Sequence, residues 1–247
     1  MIEFRDVTLA YGDRVVLDRM SFKARFHEKI AVLGGSGEGK TTILRLILGL
    51  VRPDDGKIFI DGKDITGLSE SQLREPRMNF SIVFQEGALF DSMNVKENVA
   101  FSLREYTDYP EDEIERRVRR LLGRLGIEDA IYLMTEELSG GMQRRVAIAR
   151  SLAASEPGMM LYDEPTTGLD PLTADNICRL INDLSKGGPP ERAGLIVVTH
   201  KVKDAAKVAE RFMYIRSGHV VFDGDIDALK NTADEELRKF IDDLYAA

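Results

Sequence analysis

The sequence predicts an α/β protein: a mostly parallel sheet core, a small antiparallel sheet at its N-terminal end and a mostly helical insertion in the middle. Three observations predict it. Short apolar runs end in polar residues at Ile30-Ala31-Val32-Leu33, Ser81-Ile82-Val83-Phe84-Gln85, Met159-Met160-Leu161-Tyr162-Asp163-Glu164 and Leu195-Ile196-Val197-Val198-Thr199-His200, as strands buried on both faces do. Stretches of helical periodicity separate these runs, which parallel crossovers require. The first residues alternate instead, with Ile2, Phe4, Val7 and Leu9 apolar, the pattern of half-buried antiparallel strands.

Taken in order, Tyr11-Gly12-Asp13 is a turn, and Val15-Val16-Leu17 and Met20-Ser21-Phe22 read as two further short strands. The buried run 30–33 leads through Gly34-Gly35-Ser36-Gly37-Glu38-Gly39-Lys40-Thr41-Thr42 into a helix with Ile43, Leu44, Leu46, Ile47 and Leu50 on one side. Pro53-Asp54-Asp55-Gly56 turns into a strand over 57–60, and Asp61-Gly62-Lys63 makes a tight hairpin. The second buried run ends at Gln85, and from there to about 154 the chain reads as mostly helical.

Pro110 opens a helix with Glu111, Asp112 and Glu113 in its first turn, where negative charge suits the dipole. Ile114, Val118, Leu121, Leu122 and Leu125 recur at helical spacing, and Arg116, Arg117, Arg119 and Arg120 form a solvated or ion-paired face. The third buried run starts at Gly158 and ends in two carboxylates. Asp170-Pro171 starts a helix as N-cap and N1, with Ile177, Leu180, Ile181 and Leu184 apolar, and 187–190 is a loop. A fourth buried strand ends in His200, a helix follows over 202–211, and 212–216 and 220–222 pair around Ser217-Gly218. An amphipathic helix over 233–245 places Leu237, Phe240, Ile241 and Leu244 on one side.

Composition bounds the function. The chain has 247 residues, 43% hydrophobic and 31% charged, enough for one large domain or two small ones. A net charge of −8 argues against a nucleic-acid partner that needs a strongly basic surface. The single Cys178 excludes an internal disulfide framework and reads as a packed, inert thiol. No apolar run approaches the roughly 18 residues a membrane span needs, and the N-terminus lacks an apolar signal core. Work at a membrane would pass through a partner. His27 and His219 match no motif and read as surface residues.

The glycine-rich stretch carries the chemistry. It fits G-x-x-x-x-G-K-[ST] between a buried strand and a helix. Glycines let the backbone close around a phosphate chain, and successive N–H groups at a helix N-terminus make an anion nest. Lys40 can reach the β/γ-phosphates, and the Thr41 hydroxyl can ligate Mg²⁺. A plain glycine turn with Lys40 solvated is the bland alternative. Ligands of such sheets bind at the carboxyl ends of strands. Lys40, Gln85, Asp163, Glu164 and His200 all fall at or just after such ends. Two carboxylates at one buried strand end favour a metal site over packing.

Together with Leu138-Ser139-Gly140-Gly141-Met142-Gln143 and Gly168-Leu169-Asp170, these residues resemble, in order, the Walker A, Q-loop, signature, Walker B, D-loop and switch histidine of ABC-transporter ATPases. The resemblance runs over nearly the whole chain. It implies a P-loop NTPase with a RecA-like core, an ABC ATPase domain over 1–230 with 86–155 as its helical subdomain, and a short amphipathic tail over 231–247. ATP and Mg²⁺ are the implied ligands, and ATP hydrolysis the implied activity.

Roles carry over residue by residue. Tyr11 is similar to the aromatic residue that stacks on adenine, with a turn-capping Tyr as the alternative. Gly34, Gly35, Ser36, Gly37, Glu38, Gly39, Lys40, Thr41 and Thr42 cradle the triphosphate. Asp163, with Thr41 and Gln85, serves Mg²⁺. Glu164 polarises the attacking water, and Gln85 and His200 contact the γ-phosphate. Glu38 departs from the family pattern: pointing outward it leaves its N–H for phosphate, whereas facing the triphosphate it weakens binding. Met142 replaces the usual Gln after the signature glycines. One phosphate loop and one signature imply a head-to-tail dimer, in which Ser139, Gly140 and Gly141 of one chain close on the ATP of the other, at the N-terminus of a helix over 142–154.

Gly87-Ala88-Leu89-Phe90, Met93-Asn94-Val95 and 97–105 are similar to the ATPase of Mla-type systems, as is 236–242. Those systems work with MCE proteins and move phospholipids or other hydrophobic molecules between bacterial membranes. The similarity implies permease subunits, an MCE-domain protein, a STAS-domain accessory subunit and the cytoplasmic face of the inner membrane. The 85–101 segment is the expected permease groove. Relatives in that group carry a longer C-terminal extension that reaches the partner ATPase, which leaves the dimer contacts and the STAS-domain subunit open. The alternatives are an ABC ATPase for another cargo, such as amino acids or lipoproteins, and a soluble non-transport ABC scaffold or repair protein.

Overall fold

The computed structural model describes residues 1–153, 157–186 and 194–242. The predicted loop at 187–190 and residues 154, 155 and 243–247, Leu244 among them, lie outside this set. A six-stranded sheet runs β10-β9-β3-β8-β7-β6. It is built from β3 (Lys29–Leu33), β6 (Phe80–Val83), β7 (Met159–Asp163), β8 (Gly194–Thr199), β9 (Arg211–Arg216) and β10 (His219–Gly224). All neighbours pair in parallel except β9 and β10, a hairpin. A second, antiparallel sheet runs β2-β1-β4-β5, from β1 (Ile2–Tyr11), β2 (Arg14–Ala24), β4 (Asp55–Ile60) and β5 (Lys63–Asp64).

The apolar runs divide their side chains between two cores, because successive residues of a strand face opposite ways. Val32, Leu161, Ile196 and Val198 face the antiparallel sheet, with Ile2, Phe4, Ile58 and helix α1 (Lys40–Ile47). Leu33, Tyr162, Leu195 and Val197 face the opposite way. There they join α3 (Val95–Tyr106), α4 (Glu111–Arg124), α5 (Gly140–Ala153) and α6 (Pro171–Leu184) through Val99, Leu122, Val146 and Ile177. Cys178 is buried in this core, its thiol pushed up to about 12 by burial, as an inert thiol should be. Asp170 caps α6 by accepting from the Leu172 and Thr173 N–H groups. The arginine face of α4 is ion-paired, through Arg116 and Arg117 to Glu113 and Arg119 to Glu115.

Several predicted boundaries differ. The strands at 15–17 and 20–22 are one strand, β2, kinked where Arg19 takes a φ of 43°. Leu50 leaves the helix after the glycine loop, because α1 stops at Ile47 and Gly49 turns at φ 62°; Leu50 is half-exposed. Phe84 and Gln85 lie beyond the end of β6. The helix expected over 202–211 is α7 (Val202–Val208), ended by extended Ala209 so that β9 can begin. Two helices went unpredicted, α2 (Glu70–Arg77) and α8 (Ile226–Lys230). The first was legible as Ser69-Glu70-Ser71-Gln72, a capping box in which the Gln72 Oε1 accepts from the Ser69 N–H. Its two buried side chains, Leu73 and Pro76, give little periodicity. The last helix is α9 (Glu235–Ile241), with Leu237 and Ile241 buried and Phe240 against Tyr214.

The N-terminal alternation changes phase between Phe4 and Val7, and the structure explains it. Asp6 sits at φ 49° in a bulge of β1, so one extra residue is inserted and both pairs still face the core. Gly56 packs beneath this bulge at φ 86°, where a Cβ would come within 2.4 Å of the Asp6 carbonyl oxygen and 2.6 Å of Arg5's. Both obstacles are backbone and cannot swing aside. Gly56→Ala is therefore expected to lower stability by about 3 kcal/mol in urea unfolding. A loss under about 0.5 kcal/mol, the level of a neutral surface change, would show that the bulge does not press on this glycine.

Candidate active site

The glycine loop leaves the carboxyl end of β3 and closes at Gly39, the N-cap of α1 at φ 89°. A Cβ there would lie 2.9 Å from the Leu17 and Val16 side chains, so only glycine lets the loop pack on β2. Ser36, Gly37, Gly39, Lys40, Thr41 and Thr42 line one side of a cavity of about 560 Å³. Tyr11 stands over it, 48% exposed, and Gln85, Glu164 and His200 complete it from three other strand ends. The volume lies in the range of small-molecule sites.

Lys40 is buried and its Nζ donates to the carbonyls of Gly34 (2.9 Å) and Gly35 (2.8 Å). Burial lowers its pKa, opposed by the charges of Glu164 and Asp163. The Thr41 Oγ1 donates to Asp163 Oδ1 at 2.9 Å. Burial raises the Asp163 pKa against that bond. A hydroxyl and a carboxylate oxygen in contact, with the Gln85 side chain at the same cavity, are a hard-oxygen donor set that fits Mg²⁺.

Glu164 adopts a φ of 46°, a left-handed conformation unusual outside glycine. Its carboxylate is held on every side. Oε2 accepts from the hydroxyls of Thr199 (2.9 Å) and Thr167 (3.0 Å). Oε1 accepts from the His200 N–H at 3.2 Å, lies 3.0 Å from His200 Nδ1 and is 3.8 Å from Lys40 Nζ. Strain held by so many partners marks a position kept for function rather than packing.

Seven predicted residues do not line the cavity: Gly34 and Gly35 at the start of the loop, Asp163, which reaches it through its bond from Thr41, Glu38, Ser139, Gly140 and Gly141. Ser139 and Gly140 are exposed at the start of α5, and neither they nor Gly141 line this cavity. Their glycines have a packing reason as well: a Cβ on Gly141 would meet Thr173 Cγ2 at 2.6 Å. Glu38 also stays out of the lining. Its carboxylate turns to the β9–β10 turn and accepts from the Ser217 N–H at 2.6 Å. The outward alternative is thus the one observed.

Sequence reasoning missed three supporting residues. Arg144 is buried in α5 and donates to the carbonyls of Phe84 (3.0 Å) and Gln85, tying the segment after β6 to the helix that starts at the signature. Its desolvation is offset in part by Asp163. The signal was an arginine one helical turn before the buried Ala147 and Ile148. Thr167 and Thr199, which orient Glu164, were legible only as hydroxyls flanking two motifs.

A family described as ABC transporter matches residues 17–167. Among curated relatives, the intermembrane phospholipid transport system ATP-binding protein MlaF of Escherichia coli (strain K12) is 38% identical over 242 residues, 98% of this chain and 88% of its own. The glutamine transport ATP-binding protein GlnQ of the same organism is 35% identical, covering 98% of each chain. Among solved structures, the dimeric structure of a bacterial ABC transporter cassette superposes with a TM-score of 0.82 at 30% identity, over 92% of this chain and 99% of that one. The order of the motifs, the cavity they build and these likenesses agree: the chain belongs to the ABC transporter family and is one of its ATP-binding, ATP-hydrolysing subunits.

Proposed function

We propose that this ATPase energises the movement of phospholipid or other hydrophobic molecules between bacterial membranes, as part of an MCE-type system. The observation that carries the cargo class is the likeness to the phospholipid-system ATPase over 98% of the chain. The protein works as a head-to-tail dimer on the cytoplasmic face of the inner membrane, held there by its permease. Among the described residues no helix is long and apolar enough to cross a membrane.

Phosphoryl transfer needs positioned charge and an oriented nucleophile. Tyr11 stacks on adenine. The loop N–H groups and Lys40 hold the triphosphate, Lys40 exchanging the carbonyls of Gly34 and Gly35 for phosphate oxygens. Thr41, Asp163 and Gln85 would hold Mg²⁺, which would supply neutralisation of phosphate charge. Glu164 orients the attacking water and accepts its proton, while His200, fixed beside it, contacts the γ-phosphate. Ser139, Gly140 and Gly141 of the partner complete the site.

The permease docks in a groove of about 430 Å³ between the parallel sheet and α3, lined by Leu50, Ile82, Phe84, Ala88, Phe101 and Arg150 among others. Arg150 lies over the Phe90 and Phe101 rings at 4.2 and 5.8 Å, giving the groove a cationic aromatic floor. Arg144 links this region to the signature helix.

Affinity capture of the tagged chain from diderm bacterial membranes tests the reading. A multi-spanning permease and an MCE protein carrying phospholipid are expected. Recovery with a periplasmic amino-acid receptor would favour the second reading, which the likeness to the glutamine-system ATPase keeps open. Recovery only without membrane proteins would overturn both. Phe101→Ala is expected to reduce permease recovery about tenfold, on the scale of one lost aromatic anchor, and undiminished recovery would remove the groove from the docking site.

A further inference from the structure

We propose that Glu38 is a positioning residue: it docks the phosphate loop on the β9–β10 turn, keeping the loop's N–H groups aimed at the cavity and its own charge away from the triphosphate. The proposal rests on the assignment of 34–42 as the ATP cradle.

The loop leans on one strand end at two points. Its first residue, Gly34, is so close to β9 that a Cβ would come within 2.8 Å of the Ile215 carbonyl oxygen. Four residues on, Glu38 Oε2 accepts from the Ser217 N–H at 2.6 Å, across 179 residues of sequence. On its other side the loop is held by Arg14, whose Nη2 donates to the Gly37 carbonyl at 3.0 Å.

The turn that Glu38 grips is itself fixed. Ser217 and Gly218 take φ values of 51° and 79°. The Gly218 carbonyl accepts from the Asp18 N–H of β2 at 3.1 Å. Arg216 forks onto Asp234, at 2.9 and 3.2 Å, and reaches Glu236 at 3.0 Å, so the N-terminal end of α9 braces the turn from the far side. A charged acceptor on a backbone N–H is among the stronger hydrogen bonds. Here it joins the loop to a turn held from two sides, by β2 and by the start of α9.

Two consequences follow for ATP. An anion nest binds well only when its N–H groups are already oriented, since ordering them on binding costs affinity. A carboxylate free to swing into the cavity would also repel the triphosphate. The docked carboxylate avoids both. A side chain that acted by charge repulsion alone would behave differently: any neutral replacement would then tighten binding.

The test compares E38A with E38Q in the full chain, by calorimetric titration with ATP and by steady-state hydrolysis. Alanine loses the acceptor, whereas glutamine keeps an oxygen that can accept from Ser217. E38A is expected to raise Kd and KM for ATP about fivefold with kcat within about twofold, the pattern of a lost ground-state contribution. E38Q is expected to recover most of that loss. E38A binding as tightly as the unsubstituted chain, or E38Q behaving as E38A, overturns the proposal. An unsubstituted chain that fails to bind ATP overturns the cradle assignment, and this proposal with it.

Discussion

Glu164→Gln is expected to bind ATP and to turn it over at least about 100-fold more slowly than the unsubstituted chain, the scale of losing one preorganised electrostatic contribution to the transition state. The substitution is nearly isosteric, and the surroundings say which way the amide turns. The His200 N–H and the Lys40 ammonium at Oε1 can only donate, so the amide oxygen belongs there. The amide nitrogen then takes the place of Oε2, where the Thr199 and Thr167 hydroxyls can turn to accept from it. That arrangement keeps the hydroxyl bonds and the fold but leaves no carboxylate to take a proton from water. With ATP bound and unhydrolysed, a closed dimer should accumulate. Phosphate release at saturating ATP and size-exclusion chromatography with ATP measure the two effects. Turnover within about tenfold of normal would remove Glu164 from the role of base.

Lys40→Met is expected to weaken ATP binding by at least about 100-fold, roughly 2.7 kcal/mol, and to lower the stability of the ligand-free fold as well. The buried ammonium is poorly solvated, as the downward push of burial on its pKa indicates. Its compensation comes from two loop carbonyls and the nearby Glu164 carboxylate. Replacing it with an apolar side chain of similar length removes that desolvation along with the bonds. It also leaves buried Glu164 beside Asp163 without this cation, and breaking a buried pair from one side destabilises the fold. For ATP the loss is one-sided, because a methionine offers nothing to a phosphate oxygen. Nucleotide titration and thermal unfolding without nucleotide separate the two. An affinity within about tenfold of normal would place the triphosphate somewhere other than against Lys40.

Much of this site was legible because its chemistry is written locally. The apolar runs end in Asp163-Glu164 and Thr199-His200, and the alternation of strands with helices brings such ends to one edge of the sheet. The glycine loop is contiguous, and the conformation it needs excludes side chains at Gly39. The Asp170-Pro171 start of α6 was readable for the same reason, since a cap bonds within three residues.

The parts that were not legible depend on residues far apart in sequence. The direction of Glu38 is set by Ser217, the anchoring of Gln85 by Arg144, and the hold on Glu164 by Thr199. Leu50 carries the periodicity of α1 but not its position, because Gly49 ends the helix first. A side chain's pattern announces that it can be buried, while its exposure depends on what packs against it.

The sequence by itself therefore determined the order of elements, the parallel core, the phosphate loop and which strand ends carry reactive groups, because these follow from periodicity and backbone geometry over a few residues. Only the tertiary structure decided where Glu38 points, what braces the loop and how Glu164 is held. The hydrogen bonds involved include pairs 35 and 179 residues apart, and such partners exist only once β8, β9 and the turn after β9 have taken their places beside the loop.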